Sequence, residues 1–250
     1  MRRKVMVTAG GTREYIDDVR VVTNISSGAL GCKIAEAFLE NGAHVFYVHS
    51  KGAPMPVILE DGLSRLTTEQ FVTTGDLMDT MGSFCKGMGM DVVVHSAAVS
   101  DFTFRRDVPV KVSSDSEEGF IEHLRQAIVR TPKIVKSVKQ WCPGCTLVSF
   151  KFTVGKSRDD LLNIAWHAGR GCGADFVVAN DKEEMKRNRS HTAYLVNVRE
   201  EPLDFDGGKC GHFFRMEDKD QIAKLLVKAS HGFLTGGVGT RFRLTEKGAK

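Results

Sequence analysis

The sequence predicts an α/β protein with a mainly parallel sheet whose two faces are covered by helices. Short apolar runs that suit buried parallel strands alternate with segments whose apolar residues recur at helical spacing. The chain has 250 residues, 42% of them hydrophobic and 26% charged, which suffices for a stable core. We find no internal repeat and no clear linker. This predicts one domain over residues 1–233 and a flexible, basic tail over 234–250.

The individual elements follow in chain order. A buried strand runs into Gly10-Gly11, and a helical stripe begins at Leu30, where Ser26 or Ser27 is predicted to cap the helix. The alternating run HTAYLVNV is typical of an edge or antiparallel strand, which predicts a small antiparallel extension of the sheet. In full, we expect strands at 4–9, 44–50, 91–99, 146–152, 175–180 and 191–198, and helices from Leu30 to Asn41-Gly42, at 76–88, at 132–141 with Pro132 in the first turn, after Ser157, and around 222–229.

The composition excludes several classes of function. The net charge of +4 is small, and the sequence has no cluster of Lys and Arg of the kind that binds nucleic acid. No apolar run approaches the ~18 residues of a membrane span, and the N-terminus lacks the apolar core of a signal peptide. We therefore expect a cytoplasmic protein that binds neither nucleic acid nor membranes.

The six cysteines are predicted to be free thiols, as is usual in an intracellular chain. The pair in CPGC (142–145) raises the alternative of a redox or zinc site. A zinc site would need a second pair of ligands, for which CGH (210–212) is a candidate. We favour a simple turn at Pro143-Gly144 before the apolar run that follows, and a redox role for CPGC stays open.

Two glycine-rich turns predict an anion-binding site. Gly10-Gly11-Thr12 follows the first strand, and Ser26-Ser27-Gly28 leads into the first helix, whose free amides and dipole favour an anion. Gly28 and Gly31 let a phosphate approach without a Cβ in the way. Each turn alone is explained as well by a plain turn or a helix cap, but together they favour a polyphosphate. A G-x-G-x-x-G between strand and helix is absent, which argues against NAD.

Three polar side chains are candidates to act beside this anion. Asn24 precedes the second turn and can hydrogen-bond a reacting group, although an Asn before a cap is often structural. Arg20 either neutralises a substrate charge or forms a salt bridge with Asp17 or Asp18. Lys111, in VPVKV, either meets a phosphate or lies on the exposed face of an alternating strand. Because ligands bind beyond the carboxyl ends of parallel strands, we expect one crevice lined by 10–12, 95–102, 149–152 and 179–181.

These stretches resemble the phosphopantothenate–cysteine ligases, also called phosphopantothenoylcysteine synthetases. TAGGTREYIDDVRVVTNISSGALG, AAVSDF, VPVKV, TPKIV, SFKF and VVAND occur in the family's order over roughly residues 4–182. The resemblance implies a Rossmann-like three-layer αβα fold and a step of coenzyme A synthesis. In that step CTP or ATP, with Mg²⁺, activates the carboxylate of 4′-phosphopantothenate as an acyl-nucleotide. Pyrophosphate leaves, and the amine of cysteine attacks the acyl carbon.

The resemblance also implies roles for individual residues. Asn24 would stabilise the acyl-nucleotide, and Lys111 would neutralise phosphate charge as pyrophosphate departs. No protein ligand for Mg²⁺ is assigned, and a homodimer is expected. The other implied contacts are Gly11, Ser26, Gly28 and Gly31 to the triphosphate, Phe150 and Asn180 to the base and ribose, and Ala97, Ala98 and Asp101, with Arg20 as a further candidate, to substrate or nucleotide.

Two departures from the family pattern affect these expectations. Many bacterial members follow a flavin-dependent decarboxylase, whereas the strand of the first motif starts here at residue 4, so we expect no flavin. Fused bacterial members carry two lysines that help select cytosine in the helix before AND. The corresponding LLNIAWHAGRGCGAD has none, which leaves CTP versus ATP open. The polar segment 113–119 is a candidate flap.

Two other functions compete with the ligase. A non-catalytic relative would bind a nucleotide without turnover. A short-chain dehydrogenase would bind NAD(P) and needs a Tyr-x-x-x-Lys pair on a helix. Only Tyr47 and Lys51 have that spacing, and they lie at a predicted strand end, which argues against this alternative.

Overall fold

The computed structural model describes residues 2–57, 64–105, 116–199, 203–205, 208–210 and 213–231. Contacts group the chain into two compact units, Met1–Cys145 and Thr146–Lys250. The single domain predicted over 1–233 stays a prediction. None of the helices in the described ranges combines the length and apolar character needed to cross a bilayer. Four predicted features lie wholly or partly outside the described residues, namely Lys111, the first part of the flap at 113–119, the CGH segment at 211–212 and the tail at 234–250.

The first unit is built on a parallel sheet. Its elements are β1 (Lys4–Ala9), β2 (Arg13–Tyr15), β3 (Val21–Thr23), α1 (Ala29–Glu40), β4 (His44–Ser50), β5 (Leu66–Phe71), α2 (Thr74–Met88), β6 (Val92–His95), β7 (Phe102–Phe104), α3 (Glu117–Ala127), β8 (Ile128–Arg130) and α4 (Ile134–Trp141). Parallel strands follow the order β6-β1-β4-β5. β2–β3 and β7–β8 form separate antiparallel pairs, which the sequence patterns did not predict.

The core of this unit lies on both faces of the sheet. Successive residues of a strand point to opposite faces, and Val5, Met6 and Val7 of β1 are all fully buried. Such two-sided burial requires helices on both sides. α1 packs on β1 and β4 through its apolar stripe, in which Ile34 and Phe38 are buried. The predicted mainly parallel sheet with helices on both faces is confirmed.

Helix α1 begins at a glycine with a left-handed backbone. Its N-cap residue is Gly28, with φ of 74°, so the N-cap position itself has no side chain. The predicted N-cap position at Ser26 or Ser27 is therefore wrong, because the turn needs the positive φ of a glycine, but the Ser27 hydroxyl does accept from Ala29 N over 3.4 Å. At the other end the prediction is confirmed: the Asn41 side chain donates to the Ala37 carbonyl over 2.8 Å as the helix ends.

Helix α4 starts later than predicted. It begins at Ile134, so Pro132 lies before the first turn rather than in it. The reason is that the chain just before it is tied to the loop after β6. Thr131 N donates to the Asp101 carbonyl over 3.1 Å, and the Thr131 hydroxyl donates to the Ser100 carbonyl over 2.5 Å. These bonds keep the backbone extended until the proline has passed.

The second unit combines parallel and antiparallel strands. Its elements are β9 (Thr146–Thr153), α5 (Arg158–Cys172), β10 (Phe176–Asp181), α6 (Lys182–Asn188), β11 (Ala193–Asn197), β12 (Leu203–Phe205), β13 (Gly208–Cys210), β14 (Phe213–Met216) and α7 (Lys219–Ser230). β9 and β10 are parallel, while β11 is antiparallel to both β10 and β14. The antiparallel extension is confirmed. An edge position for β11 is wrong, because β14, missed in the sequence, pairs with its other side.

The cysteine side chains that the structure describes are free. Cys142 is buried, its Sγ accepting from Met90 N at 3.2 Å and donating to Met90 O at 3.1 Å. Cys145 N donates to the Cys142 carbonyl over 3.2 Å, which closes the predicted turn. Burial raises the pKa of Cys32 to about 11 and that of Cys85 to about 12. Within the described ranges, no group of three or more His, Cys, Asp or Glu is placed to hold a metal ion.

Candidate active site

The two glycine-rich turns meet at the carboxyl end of β1. A Cβ built on Gly28 would lie 3.1 Å from Gly10 N and 2.8 Å from the Ala53 Cβ. Gly10 itself has φ of 90°, and a Cβ there would lie 1.9 Å from Ser50 Oγ. Both positions therefore need glycine. The backbone of the two turns forms one surface, residues 10–12 and 26–31, which we name the glycine cradle.

Gly31 and Gly11 permit close packing in the same place. A Cβ on Gly31 would lie 2.6 Å from the Ala9 Cβ and 2.8 Å from Ser96 Oγ, and one on Gly11 would lie 2.7 Å from Asn24 O. The first turn of α1 thus rests directly on the ends of β1 and β6. Its free amides and the positive end of its dipole lie in the cradle, where both favour an anion.

The loop after β6 is held beside the cradle by backbone hydrogen bonds. Ala98 N donates to Gly10 O over 2.8 Å, and Thr12 N donates to Ala98 O over 3.2 Å. Ala97 N donates to Thr8 Oγ1 over 3.0 Å. The structure therefore brings the sequence-predicted residues Ala97 and Ala98 next to the first glycine turn.

Asn24 lies at the rim of the cradle. Its side chain is exposed, and its Nδ2 donates to the Val99 carbonyl over 3.0 Å. A carboxamide has two N–H hydrogens and an acceptor oxygen. The bond to Val99 therefore orients the Asn24 side chain and uses only one of its hydrogen-bonding groups. Ser26, half-buried, follows two residues later. The geometry lets Asn24 both donate to and accept from a group bound in the cradle.

A buried histidine adjoins the cradle, and the sequence analysis did not single it out. His95 ends β6 with 7% of its surface exposed, and its Nδ1 lies 3.0 Å from Thr8 Oγ1. Burial lowers the pKa of His95 to about 4, so the ring is neutral at physiological pH. Its signal in the sequence was a lone polar residue closing the apolar run VVVH.

Arg20 and Asp101 are engaged in ion pairs. Arg20 Nε lies 3.3 Å from Asp17 Oδ2, and the guanidinium lies over the Phe120 ring, 4.9 Å from its centroid. The salt bridge considered as the alternative for Arg20 is thus present. Asp101 pairs with Lys133, and both side chains are more than half exposed, at 64% and 61%. A substrate contact for Arg20 or Asp101 stays a prediction.

In the second unit, Phe150 and Asn180 lie on neighbouring parallel strands. Val178 is the register partner of Phe150, and Asn180 is the partner of Phe152, so Phe150 and Asn180 share one face of the sheet. Phe150 is half-buried, and Asn180 is 8% exposed. Asn180 Nδ2 donates to the sulfur of Met185 over 3.2 Å. This sequence-predicted pair is therefore adjacent at the carboxyl ends of β9 and β10.

Asp181 ties the loop after β9 to the start of α6, a role the sequence analysis missed. Its Oδ1 accepts from the amides of Glu183 and Glu184 at 3.0 and 3.3 Å. Its Oδ2 accepts from Thr153 Oγ1 at 2.8 Å and from Lys156 N at 3.0 Å. Burial alone would raise the pKa of Asp181, but these hydrogen bonds outweigh it and lower the pKa to about 2.

The tyrosine–lysine pair considered for a dehydrogenase has no helical context. Tyr47 lies within β4, fully buried, and its hydroxyl donates to the Pro54 carbonyl over 2.8 Å. Lys51 follows in the turn after that strand. A tyrosine held in this way cannot serve as the acid beside a nicotinamide, so the geometry argues against the dehydrogenase alternative.

The fold and the glycine cradle define a Rossmann-like α/β protein whose first strand ends in a backbone surface suited to anions. This chain belongs to the family of DNA/pantothenate metabolism flavoprotein C-terminal domains, whose family model matches residues 1–229. That family membership confirms the resemblance drawn from the motifs.

Known relatives agree with this assignment. The coenzyme A biosynthesis bifunctional protein CoaBC of Thermococcus kodakarensis is 38% identical over 178 residues, which cover 71% of this chain and 41% of that protein. The chain thus spans about two fifths of that relative's length. The DNA/pantothenate metabolism flavoprotein from Streptococcus pneumoniae matches with a TM-score of 0.73 at 29% identity, over 92% of this chain and 99% of that one. A mutant of Cab2 in complex with phosphopantothenate-cysteine matches in fold, with a TM-score of 0.68 at 18% identity over 93% and 88% of the two chains.

Proposed function

We propose that this protein is a phosphopantothenate–cysteine ligase, which joins 4′-phosphopantothenate to cysteine in coenzyme A biosynthesis. The observation that carries the proposal is the meeting of the two glycine turns at the end of β1, with Asn24 at their rim. The family membership and the coenzyme A biosynthesis protein among its relatives support it. So does the phosphopantothenate-cysteine held by Cab2, a protein of the same fold.

The proposed reaction has two steps. A carboxylate oxygen of 4′-phosphopantothenate attacks the α-phosphorus of a nucleoside triphosphate, and pyrophosphate leaves with the electron pair of the broken P–O bond. The amine of cysteine then attacks the acyl carbon of the acyl-nucleotide. The nucleoside monophosphate leaves with its oxygen, and the nitrogen loses a proton. The amides of the glycine cradle and the dipole of α1 hold the phosphates during both steps.

The cradle fits a triphosphate that carries Mg²⁺. Magnesium in such sites is held largely by phosphate oxygens and water, with few protein ligands, and the cradle supplies the amides that position those phosphates. The ion would supply charge neutralisation on the departing pyrophosphate. We propose CTP or ATP as the nucleotide.

We assign Asn24 to the acyl-nucleotide, because its carboxamide offers a donor and an acceptor at the cradle rim. The motif VPVKV supports the assignment of Lys111 to the departing pyrophosphate. The remaining assignments are Gly11, Ser26, Gly28 and Gly31 to the triphosphate, Phe150 and Asn180 to the base and ribose, and Arg20, Ala97, Ala98 and Asp101 to the substrate.

We further propose that the protein acts as a homodimer in the cytoplasm. Both proposals rest on the family resemblance, and sedimentation of the purified protein measures the first. The flavin in the family's name belongs to the other domain of its fused members, so we propose no flavin step for these residues.

The test is pyrophosphate release by the purified protein. It is supplied with 4′-phosphopantothenate, cysteine and Mg²⁺, with CTP and ATP in parallel reactions, and the product is identified by mass spectrometry. Sustained release that needs both substrates establishes the ligase, and the better nucleotide identifies the preferred base. Folded protein that releases none with either nucleotide contradicts the ligase. If it still binds a nucleotide by calorimetry, it is the non-catalytic relative.

A further inference from the structure

A cavity lies beside the start of α2 in the first unit. Its volume is about 330 Å³, at the lower end of the roughly 300–1,000 Å³ that small-molecule sites span. It is lined by β2, β7, the first turn of α2 and the segment before α4. The lining side chains include Glu14, Tyr15, Thr74, Thr103 and Phe104. None of the contacts proposed above for the ligase lies among them.

Glu14 brings a carboxylate to this cavity. The residue is 2% exposed, and its Oε1 accepts from Thr74 N over 2.8 Å and from Thr74 Oγ1 over 2.6 Å. Among the described residues, none donates to Glu14 Oε2, and no Lys, Arg or His forms an ion pair with this carboxylate. Buried charges in proteins are normally paired. Glu14 therefore has an unused acceptor oxygen and a negative charge without a cationic partner.

The unused oxygen of Glu14 is open to the cavity. In the part of the chain that the structure describes, the side-chain polar atoms that are both shut off from solvent and without a partner are Trp166 Nε1 and His191 Nε2. Glu14 Oε2 is not one of them, so it keeps an opening, and the cavity is the space that Glu14 lines. A ligand in the cavity can therefore donate a hydrogen bond to this oxygen.

Capping of α2 does not by itself require Glu14. The helix has a complete capping box, in which the Thr73 hydroxyl accepts from Asp76 N over 3.1 Å and Asp76 Oδ2 accepts from Thr73 N over 2.9 Å. Asp76 also supplies the negative charge that the helix dipole favours in the first turn. Glu14 adds one acceptor for Thr74 N, and its second oxygen is left for another donor.

The other lining groups favour an organic cation over a metal ion. The rings of Tyr15 and Phe104 line the same space, and aromatic rings both attract ammonium groups and pack against alkyl carbon. The Thr103 hydroxyl, which forms no hydrogen bond with any of the described residues, offers a second acceptor. A divalent metal ion would need about six oxygen ligands and would leave most of the cavity unfilled.

We propose that this cavity binds a small organic ammonium ion. The N–H groups of the ion donate to Glu14 Oε2 and to the Thr103 hydroxyl. Its carbon chain lies against the rings of Tyr15 and Phe104. Cysteine, the amine of the proposed ligation, and amines unrelated to that reaction share this chemistry.

The cavity is next to the glycine cradle. Thr74, which lines the cavity, has its Oγ1 3.3 Å from Thr12 Oγ1. Thr12 is wholly buried and belongs to the first turn of the cradle. The two buried threonines form a wall that the cavity and the cradle share. An ammonium ion bound at Glu14 therefore lies behind the cradle, and its binding requires neither a nucleotide nor ligation, so the inference goes beyond the proposed function.

The experiment is an NMR titration of the full chain at pH 7 that follows the backbone amide signal of Thr74. The probe is propylammonium chloride, with 1-propanol as the neutral control and KCl as the inorganic one. We expect a saturable shift with propylammonium alone. Glu14→Gln should weaken its binding at least roughly tenfold, and Thr103→Val roughly fivefold. Glu69→Gln, which changes an exposed carboxylate of β5, should match the wild type.

A second titration, with cysteine and a reductant, distinguishes the two sources of the ammonium group. Cysteine that binds more tightly than propylammonium, and loses affinity in Glu14→Gln, identifies the ligand as the proposed substrate. Cysteine that binds more weakly identifies another amine. Both results support an ammonium site at Glu14.

Three results overturn the inference. The first is the absence of a saturable shift with both propylammonium and cysteine. The second is an equal shift with KCl, which would make the effect one of inorganic cations. The third is equal affinity in Glu14→Gln, Thr103→Val and the wild type, which would place the binding elsewhere. Should Glu14→Gln fail to fold, Thr103→Val decides alone. Pyrophosphate release is not part of the readout, so this inference and the proposed ligase can fail independently.

Discussion

Gly28 and Gly10 approach so closely that a Cβ on Gly28 would lie 3.1 Å from the amide nitrogen of Gly10. Neither turn alone makes a phosphate site, because each can be only a turn or a cap. Their contact turns two local features into one surface of backbone amides at the end of a buried strand. The geometry also means that a single methyl group at position 28 disturbs both turns.

We expect Gly28→Ala to lower the free energy of unfolding by more than Gly42→Ala does. Both glycines have positive φ, 74° and 81°, so both variants carry backbone strain of about 1–2 kcal/mol. A Cβ at Gly42 meets nothing within 4 Å, whereas one at Gly28 meets Ala53 and Gly10. Overpacking there should add about 1–3 kcal/mol. Urea denaturation checks this, and equal losses in the two variants would show that the turns do not press on each other.

We expect Asn24→Ala to retain nucleotide affinity and lose product formation. The side chain is exposed and makes one hydrogen bond, to Val99, so the fold should tolerate its removal. Loss of a group that meets the reacting atoms should lower kcat about 100-fold or more. Val22→Ala, a change at an exposed position of β3 outside the glycine cradle, is the control and should stay active. A fully active Asn24→Ala would refute the role assigned to Asn24.

His95 should make the protein less stable at mildly acidic pH. Its pKa is lowered in the folded state from 6.5 to about 4, so the unfolded chain binds the proton more readily between those values. Stability from the neutral ring is therefore complete above about 6.5 and is lost as pH falls towards 4, by about 3 kcal/mol. We measure the melting temperature between pH 4 and 6.5. It should depend less on pH in His95→Gln than in the wild type, but not in the control His167→Gln, whose histidine is exposed. If the melting temperature falls as steeply with pH in both variants, groups other than His95 cause the loss of stability.

Asp181 should stabilise the protein at neutral pH and lose that effect only in strong acid. Its folded pKa is lowered from 3.8 to about 2, so its contribution is present above about 3.8 and disappears as pH falls through 2. Asp181→Asn should melt at a lower temperature than the wild type at pH 7, and the difference should shrink between pH 4 and 2. Asp159→Asn, which changes an exposed carboxylate, should show little difference at either pH. Equal melting temperatures for Asp181→Asn and the wild type at pH 7 would contradict a stabilising role for the hydrogen bonds by which Asp181 joins the loop after β9 to the start of α6.

The sequence predicted the parts of the site that depend on local chemistry. The glycine-rich turns after β1 and before α1 could be predicted from the local sequence. Only glycine lacks the Cβ that would obstruct a ligand or a close backbone approach there. The parallel strands buried on both faces were equally visible, because such burial produces continuous apolar runs. The parallel strand β5, half of whose residues are exposed, was missed for the same reason. The start of α1 was misassigned because a serine beside a glycine signals a hydroxyl cap as readily as a left-handed turn.

Other parts of the site depend on which strands become neighbours, and one sequence does not contain that information locally. His95 is neutral because it is buried, and it is buried because β6 pairs with β1 inside the sheet, where its Nδ1 lies beside Thr8. Phe150 shares a face of the sheet with Asn180 because of the register of β9 on β10. The pairs β2–β3 and β7–β8 have strands of three residues each, too short for alternation to reveal.

The burial of the cysteine thiols has a consequence for a ligase that uses cysteine as a substrate. A protein thiolate attacks the disulfide of cystine, the oxidised form of cysteine, and forms a mixed disulfide while one cysteine thiolate leaves. Such adducts would disable an enzyme that meets this amino acid at every turnover. Cys32, Cys85, Cys142 and Cys145 are all buried, and the first two hold their protons well above neutral pH. These four buried thiols are thus poor partners for the proposed substrate, and half-buried Cys172 is the most accessible of the described thiols. The buried thiols of the protein are therefore protected from forming mixed disulfides in a solution that contains cysteine.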